Sequence, residues 1–248
     1  MPQRQPTHRM PTRFSVFPPV IKDLLIINAL VYFAQVVAQM TGTGWMIQVL
    51  AAGALYPPGS VEALMQMAQL GGQVPTIFGR AAPEALVMPG FQPWQVLTYA
   101  FLHGGLGHLF FNMFALWMFG AQIEAAWGSR RFGIFYFSCV LGAALTQMMV
   151  MWGDPTPTLG ASGGVFGILL AFGMMFPERR IMLLIPPIPI KAKWFVMGLG
   201  ALELYSAATG TQAGVANFAH LGGAVFGFLL IQYWRGKLPA QPERTMRW

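Results

Sequence analysis

The stretch Gly160-Ala161-Ser162-Gly163-Gly164-Val165-Phe166-Gly167-Ile168-Leu169-Leu170-Ala171-Phe172-Gly173-Met174-Met175-Phe176 contains no charged residue, and Ser162 is its one polar side chain. A helix crossing a bilayer needs about 17 to 25 such residues. Charge returns directly afterwards in Pro177-Glu178-Arg179-Arg180. A hydroxyl therefore sits at one end of a segment otherwise suited to lipid.

Five more apolar segments flank it, from Leu24 to Thr41, Leu106 to Ile123, Phe132 to Met151, Trp194 to Thr209 and Val215 to Trp234. With 55% hydrophobic and 9% charged residues, the 248-residue chain has too little polar surface to cover a soluble globule. The expectation is an all-α membrane protein with six transmembrane helices, and no internal repeat or second domain is visible. Cys139 is the only cysteine and lies inside the third segment, which excludes disulfides within the chain and suits packing.

Basic residues gather on the cytoplasmic side of membrane proteins. With the N-terminus inside, alternate connections collect Arg4, Arg9, Arg13, Lys22, Arg130, Arg131, Arg179, Arg180, Lys191, Lys193, Arg235, Lys237, Arg244 and Arg247, leaving only Arg80 outside. The net charge of +7 thus reads as topology and contact with anionic lipid headgroups, with no need for nucleic acid. Residues 1–22 are expected to form a cytoplasmic N-terminal tail, 23–235 one six-span domain, and 236–248 a cytoplasmic C-terminal tail. The start of a transit peptide is the other reading of the Arg- and Pro-rich beginning.

The roughly 60 residues between the first two spans are neither polar enough for a free loop nor continuous enough to cross. Trp45 to Leu50 and Val61 to Met67 suit short helices along the outer interface, so a half-embedded outer flap is expected. Pro186-Pro187-Ile188-Pro189 reads as a stiff spacer in an inner connection.

A second polar word, Ala219-His220-Leu221-Gly222-Gly223, lies inside the sixth segment. Ser162 stands fourteen residues from Phe176, and His220 fourteen from Trp234, at the inner ends of their spans. At about 1.5 Å per residue, both lie roughly 21 Å above the inner face. The pairs Gly163/Gly167 and Gly223/Gly227 offer small faces that let two helices approach closely beside these side chains. A nucleophile and its base at one depth suggest a hydrolase working inside the membrane, in a protein-lined or water-filled cavity.

His108 and Asn112, four apart on one helix face, add two uncharged hydrogen-bond donors. They suit an oxyanion hole or, alternatively, a polar clasp between helices. Metal binding by His103, His108 and His220 is the weaker option, because no carboxylate or cysteine joins them at ligand spacing. No metal or other cofactor is expected.

The chain resembles the rhomboid intramembrane serine proteases. The resemblance rests on Gly160-Ala161-Ser162-Gly163, on Ala219-His220-Leu221-Gly222-Gly223, on Trp94 to Asn112 with His103, and on Gly120, Glu124, Gly128, Arg131 and Phe132, in the family's order. It implies a rhomboid-like bundle and a Ser162–His220 dyad without an aspartate. It also assigns the oxyanion hole to His108, Asn112 and backbone N–H groups at Ser162 and Ala161. Gly160 and Gly163 support the nucleophile, Phe166 takes the position of an aromatic that stacks on the histidine, and His103 is structural.

One departure is Trp94-Gln95, where the family typically carries Trp-Arg; Gln95 lacks the arginine's charged, bidentate contacts, which bears on how the flap is anchored. Glu124 is expected to pair with Arg130 or Arg131. Glu203 in the fifth segment is an intramembrane carboxylate with no partner visible in the sequence.

A transmembrane helix exposes a scissile bond only where it unwinds. The expected partners are therefore lipid and transmembrane or membrane-anchored substrates with helix-destabilising residues near the outer boundary, and the resemblance implies entry past the fifth span. The expected setting is a bacterial cell membrane. The contrasting readings are a catalytically silent relative that binds transmembrane helices and a carrier; intact Ser162 and His220 count against the first, and the lack of paired acids or broken-helix repeats against the second. Oligomeric state is not legible.

Overall fold

The computed structural model describes residues 16–70, 76–77, 80–81, 90–183, 186–210, 216–240, 242 and 245–246. The expected tail up to residue 15 with Arg4, Arg9 and Arg13, the start of the sixth segment at Val215, and Arg244 and Arg247 lie outside the described residues.

The chain runs through helices α1 (Pro19–Thr41), α2 (Gly44–Ala51) and α3 (Ser60–Gln69), a two-residue antiparallel pair β1 (Thr76–Ile77) and β2 (Arg80–Ala81), and the single turn α4 (Gln95–Thr98). Next come α5 (Leu106–Ala115) and α6 (Ala121–Trp127), joined through the π-helical turn Leu116–Gly120 into one rod, and then α7 (Ser129–Val150) and α8 (Ser162–Met175). Strands β3 (Arg180–Met182) and β4 (Pro189–Lys191) pair antiparallel before α9 (Ala192–Thr209) and α10 (Asn217–Trp234). The proline-rich connection expected as a spacer thus leads into the returning arm of a hairpin, which begins at Pro189.

Among the described residues, three helices are long and apolar enough to cross a membrane: Pro19–Thr41, Leu106–Trp127 and Ser129–Val150; Ser162–Met175 is apolar but shorter. An all-α membrane protein follows from these helices. Their ends obey local chemistry. A proline opens the first turn of α1, where its missing N–H costs nothing, and Gly42 closes the helix at φ 68° with its N–H bonded to the Ala38 carbonyl. Gly128, at φ 80°, makes the sharp corner between α6 and α7.

The centre is built from α7, α8 and α10. A Cβ added at Gly227 would lie 3.4 Å from the Cα of Gly167, and one at Gly167 3.2 Å from the Gly223 carbonyl oxygen. At Gly223 an added Cβ would run into the Gly163 backbone. The two glycine pairs therefore face each other, and backbone meets backbone across α8 and α10. Phe132, Phe135, Tyr136 and Cys139 of α7 fill the adjoining core.

Two polar anchors hold the periphery. Glu124 does not pair with Arg130 or Arg131: its Oε1 accepts hydrogen bonds from Val20 N (3.0 Å) and Ser129 Oγ (2.6 Å), and its Oε2 from Ile21 N (2.9 Å). A carboxylate so placed satisfies N–H groups of the first turn of α1 that have no partner within the helix, and complements its dipole. Gln95 is fully buried and secures the outer segment without charge. Its Oε1 accepts from Tyr56 N (3.2 Å), while Nε2 donates to the carbonyls of Gly90 (3.0 Å) and Ala52 (3.3 Å).

Candidate active site

Gly160 turns the chain into α8 at φ 126°, a conformation L side chains rarely adopt, and a Cβ there would come within 2.7 Å of the His108 ring. Glycine is required on both counts. Ala161 is the buried N-cap residue of α8 and Ser162 begins the helix, so the hydroxyl is carried at the end where N–H groups lack intrahelical partners. His220 projects from the first turn of α10.

Ser162 Oγ and His220 Nε2 lie 2.7 Å apart, a hydrogen-bond distance. The close approach of α8 and α10 at their glycines makes this reach possible. Phe166, one turn along α8, stacks on the imidazole with ring centroids 4.4 Å apart and planes 6° from parallel.

Above the pair opens a cavity of about 600 Å³, lined by His108, Gln147, Asp154, Thr158, Ser162 and His220 among others. Its polar groups suit water, the second substrate of any hydrolysis. His108 is thus beside the pair. Asn112 is buried and spends a side-chain N–H on the His108 carbonyl at 3.0 Å, an intrahelical bond that leaves its second N–H for other use.

His103 is buried next to the site and holds structure through its backbone. Its carbonyl accepts from Gln35 Nε2 (2.9 Å), its N–H donates to Gln35 Oε1 (3.1 Å), and its ring meets His108 edge-on at 5.1 Å. No group of three or more His, Cys, Asp or Glu side chains gathers as a metal site among the described residues.

Glu203 is the feature the sequence left without a partner. Its Oε2 lies 3.1 Å from His220 Nδ1, and both side chains are 11% exposed. The contact joins α9 to α10. No sequence spacing signals it, because the two residues sit on separate helices with a connection between them.

The rhomboid domain family model matches residues 90–236, more than half of the chain and the part that contains the whole site. The chain belongs to the rhomboid family. Over 158 residues it is 30% identical to Rhomboid protein 1, mitochondrial, of Saccharomyces cerevisiae, covering 62% of this chain and 45% of that protein. It is 33% identical over 144 residues to RHOMBOID-like protein 4 of Arabidopsis thaliana, covering 58% of this chain and 34% of that protein. To the rhomboid protease GluP of Bacillus subtilis it is 29% identical over 156 residues, covering 62% of this chain and 28% of that protein. The match therefore spans less than half the length of each of these rhomboid relatives.

Proposed function

We propose that the chain is an intramembrane serine endopeptidase that cuts transmembrane or membrane-anchored proteins near the outer membrane boundary. The 2.7 Å contact between Ser162 Oγ and His220 Nε2 carries this reading. That its relatives include a rhomboid protease of Bacillus subtilis agrees with it.

Ser162 donates its proton to Nε2 as Oγ attacks the scissile carbonyl, and the imidazolium then protonates the departing amine. The resulting acyl-enzyme is hydrolysed by water from the cavity, with His220 again taking the proton. Negative charge on the tetrahedral oxygen is met by N–H groups at the start of α8, including those at Ala161 and Ser162, with His108 and Asn112 as side-chain donors. Such donors are each worth about 3 to 4 kcal/mol when water is largely excluded.

The placement of basic residues supports six spans with both termini on the cytoplasmic side, and a bacterial cell membrane is the setting proposed for this plan. Substrates are helices that unwind near the outer boundary, because an intact helix leaves no peptide bond accessible.

The experiment is incubation of the purified chain, in vesicles, with membrane-anchored proteins bearing glycine or proline near one boundary, followed by sequencing of the fragments. Cuts that vanish in Ser162→Ala support the protease. Substrate binding without cutting by the folded wild type would favour a helix-binding relative instead.

A further inference from the structure

Helix α9 is the peripheral member of the cluster around the site, and of its eighteen residues only Ala192, Glu203 and Ser206 are buried. A carboxylate turned inward on such a helix is costly unless a polar partner receives it. Oε2 of Glu203 and Nδ1 of His220 are both shielded from solvent. Neither makes a hydrogen bond among the described residues, and they lie 3.1 Å apart. The ring N–H does not yet point along the line to Oε2. The terminal torsion of a glutamate is soft, so a small turn of the carboxylate is enough to change which way its oxygens face the ring.

We infer that Glu203 is a positioning residue for His220, completing a Ser162–His220–Glu203 relay across α8, α10 and α9. This rests on the protease reading and extends it. An acceptor at Nδ1 holds the proton on that nitrogen, so Nε2 is the bare lone pair that faces Ser162. Phe166 fixes the plane of the ring, and Glu203 fixes which nitrogen is which.

The pairing also favours the reaction step itself. Before attack, the carboxylate faces a neutral ring. After Ser162 passes its proton to Nε2 and the Oγ–carbon bond forms, it faces an imidazolium, and the two buried opposite charges form an ion pair. The proton moves only from Ser162 Oγ to His220 Nε2, and Glu203 takes no part in its transfer. The contact is therefore stronger in the transition state than in the ground state, which is what accelerates a reaction.

The test uses the full chain, a membrane-anchored substrate and a fluorophosphonate probe. Glu203→Gln, nearly isosteric, should lower kcat roughly ten- to a thousandfold with KM little changed. It should slow labelling of Ser162 in parallel, and Glu203→Asp should recover part of the rate. A folded Glu203→Gln with wild-type kcat, or one that changes KM alone, overturns the inference while leaving the protease reading intact.

A wild type that neither cleaves nor labels sinks the protease reading instead. The histidine tautomer can then still be read on the unmutated chain. Nitrogen-15 spectra, with His220 assigned by its loss in His220→Ala, should show the proton on Nδ1. The Nε2–H form would overturn the Glu203 assignment even if no Glu203 variant folds.

Discussion

Phe166 and His220 lie face to face, centroids 4.4 Å apart and 6° from parallel, so the phenyl ring backs the imidazole whose Nε2 lies 2.7 Å from Ser162 Oγ. The stack spans the α8–α10 seam at the level of the site. Aromatic pairs of this kind contribute about 0.5 to 1.5 kcal/mol beyond burial. Phe166→Leu should therefore lower kcat by roughly two- to twelvefold through a looser base. Phe166→Tyr, which keeps the ring, should stay near wild type in a steady-state cleavage assay.

The seam between α8 and α10 leaves no room for a methyl group. Gly223→Ala would drive Cβ into the Gly163 backbone, which cannot move aside as a flexible side chain would. Overpacking typically costs about 1 to 3 kcal/mol, and a backbone clash belongs at the upper end. The thermal midpoint in detergent should fall, and activity with it. Gly198→Ala on α9, where nothing lies within 4 Å, should leave that midpoint unchanged or raise it, since alanine is the better helix former by about 1 kcal/mol.

Gln95 should not be replaceable by the arginine typical of the family. Its Oε1 is an acceptor for Tyr56 N, and a guanidinium offers only donors. Gln95→Arg leaves that buried N–H unpaired and places a charge where the side chain is fully buried. Gln95→Ala abandons Tyr56 N together with the Gly90 and Ala52 carbonyls. Each leaves groups whose desolvation costs about 1 to 3 kcal/mol apiece when they find no water. Both variants should show faster limited proteolysis in the outer segment.

Acid should act on the α8–α9 connection. Hydrogen bonds from Lys191 and then Lys193 hold the exposed Glu178 carboxyl down to about 2, below its ordinary 4.5. A lowered folded value means that its stabilising contribution is complete above the ordinary carboxylate range and fades as pH falls through about 2. The pair is exposed and screened by salt, so the effect is small. Any difference in melting between wild type and Glu178→Gln should be seen at neutral pH and low salt, and should vanish in high salt or below pH 2.

Much of this architecture was legible because lipid imposes simple rules on composition. The segment read from Gly160 begins as a helix only at Ser162, since Gly160 adopts positive φ and Ala161 serves as the cap. The second segment runs on to Trp127 through a π turn that hydropathy does not signal. Counting along two helices put Ser162 and His220 at one depth, and the glycine pairs indicated which helix faces would touch. Glu203 was visible as an oddity, but its partner was not, because contact between helices far apart in sequence leaves no periodic trace. Glu124 and Gln95 illustrate the same limit. Charge pairing suggested arginine for Glu124, whereas the uncapped turn of α1 claims it, and three backbone groups in loops claim Gln95.

The proposed protease depends on Ser162 as an activated nucleophile and His220 as its base. Exposure of the purified, folded chain to a fluorophosphonate probe, with mass spectrometry of the modified peptide, tests it most directly. Ser162 should be modified in the wild type, with no modification in Ser162→Ala or His220→Ala. An unlabelled wild type beside a reactive control enzyme, or undiminished labelling of Ser162→Ala, would contradict it.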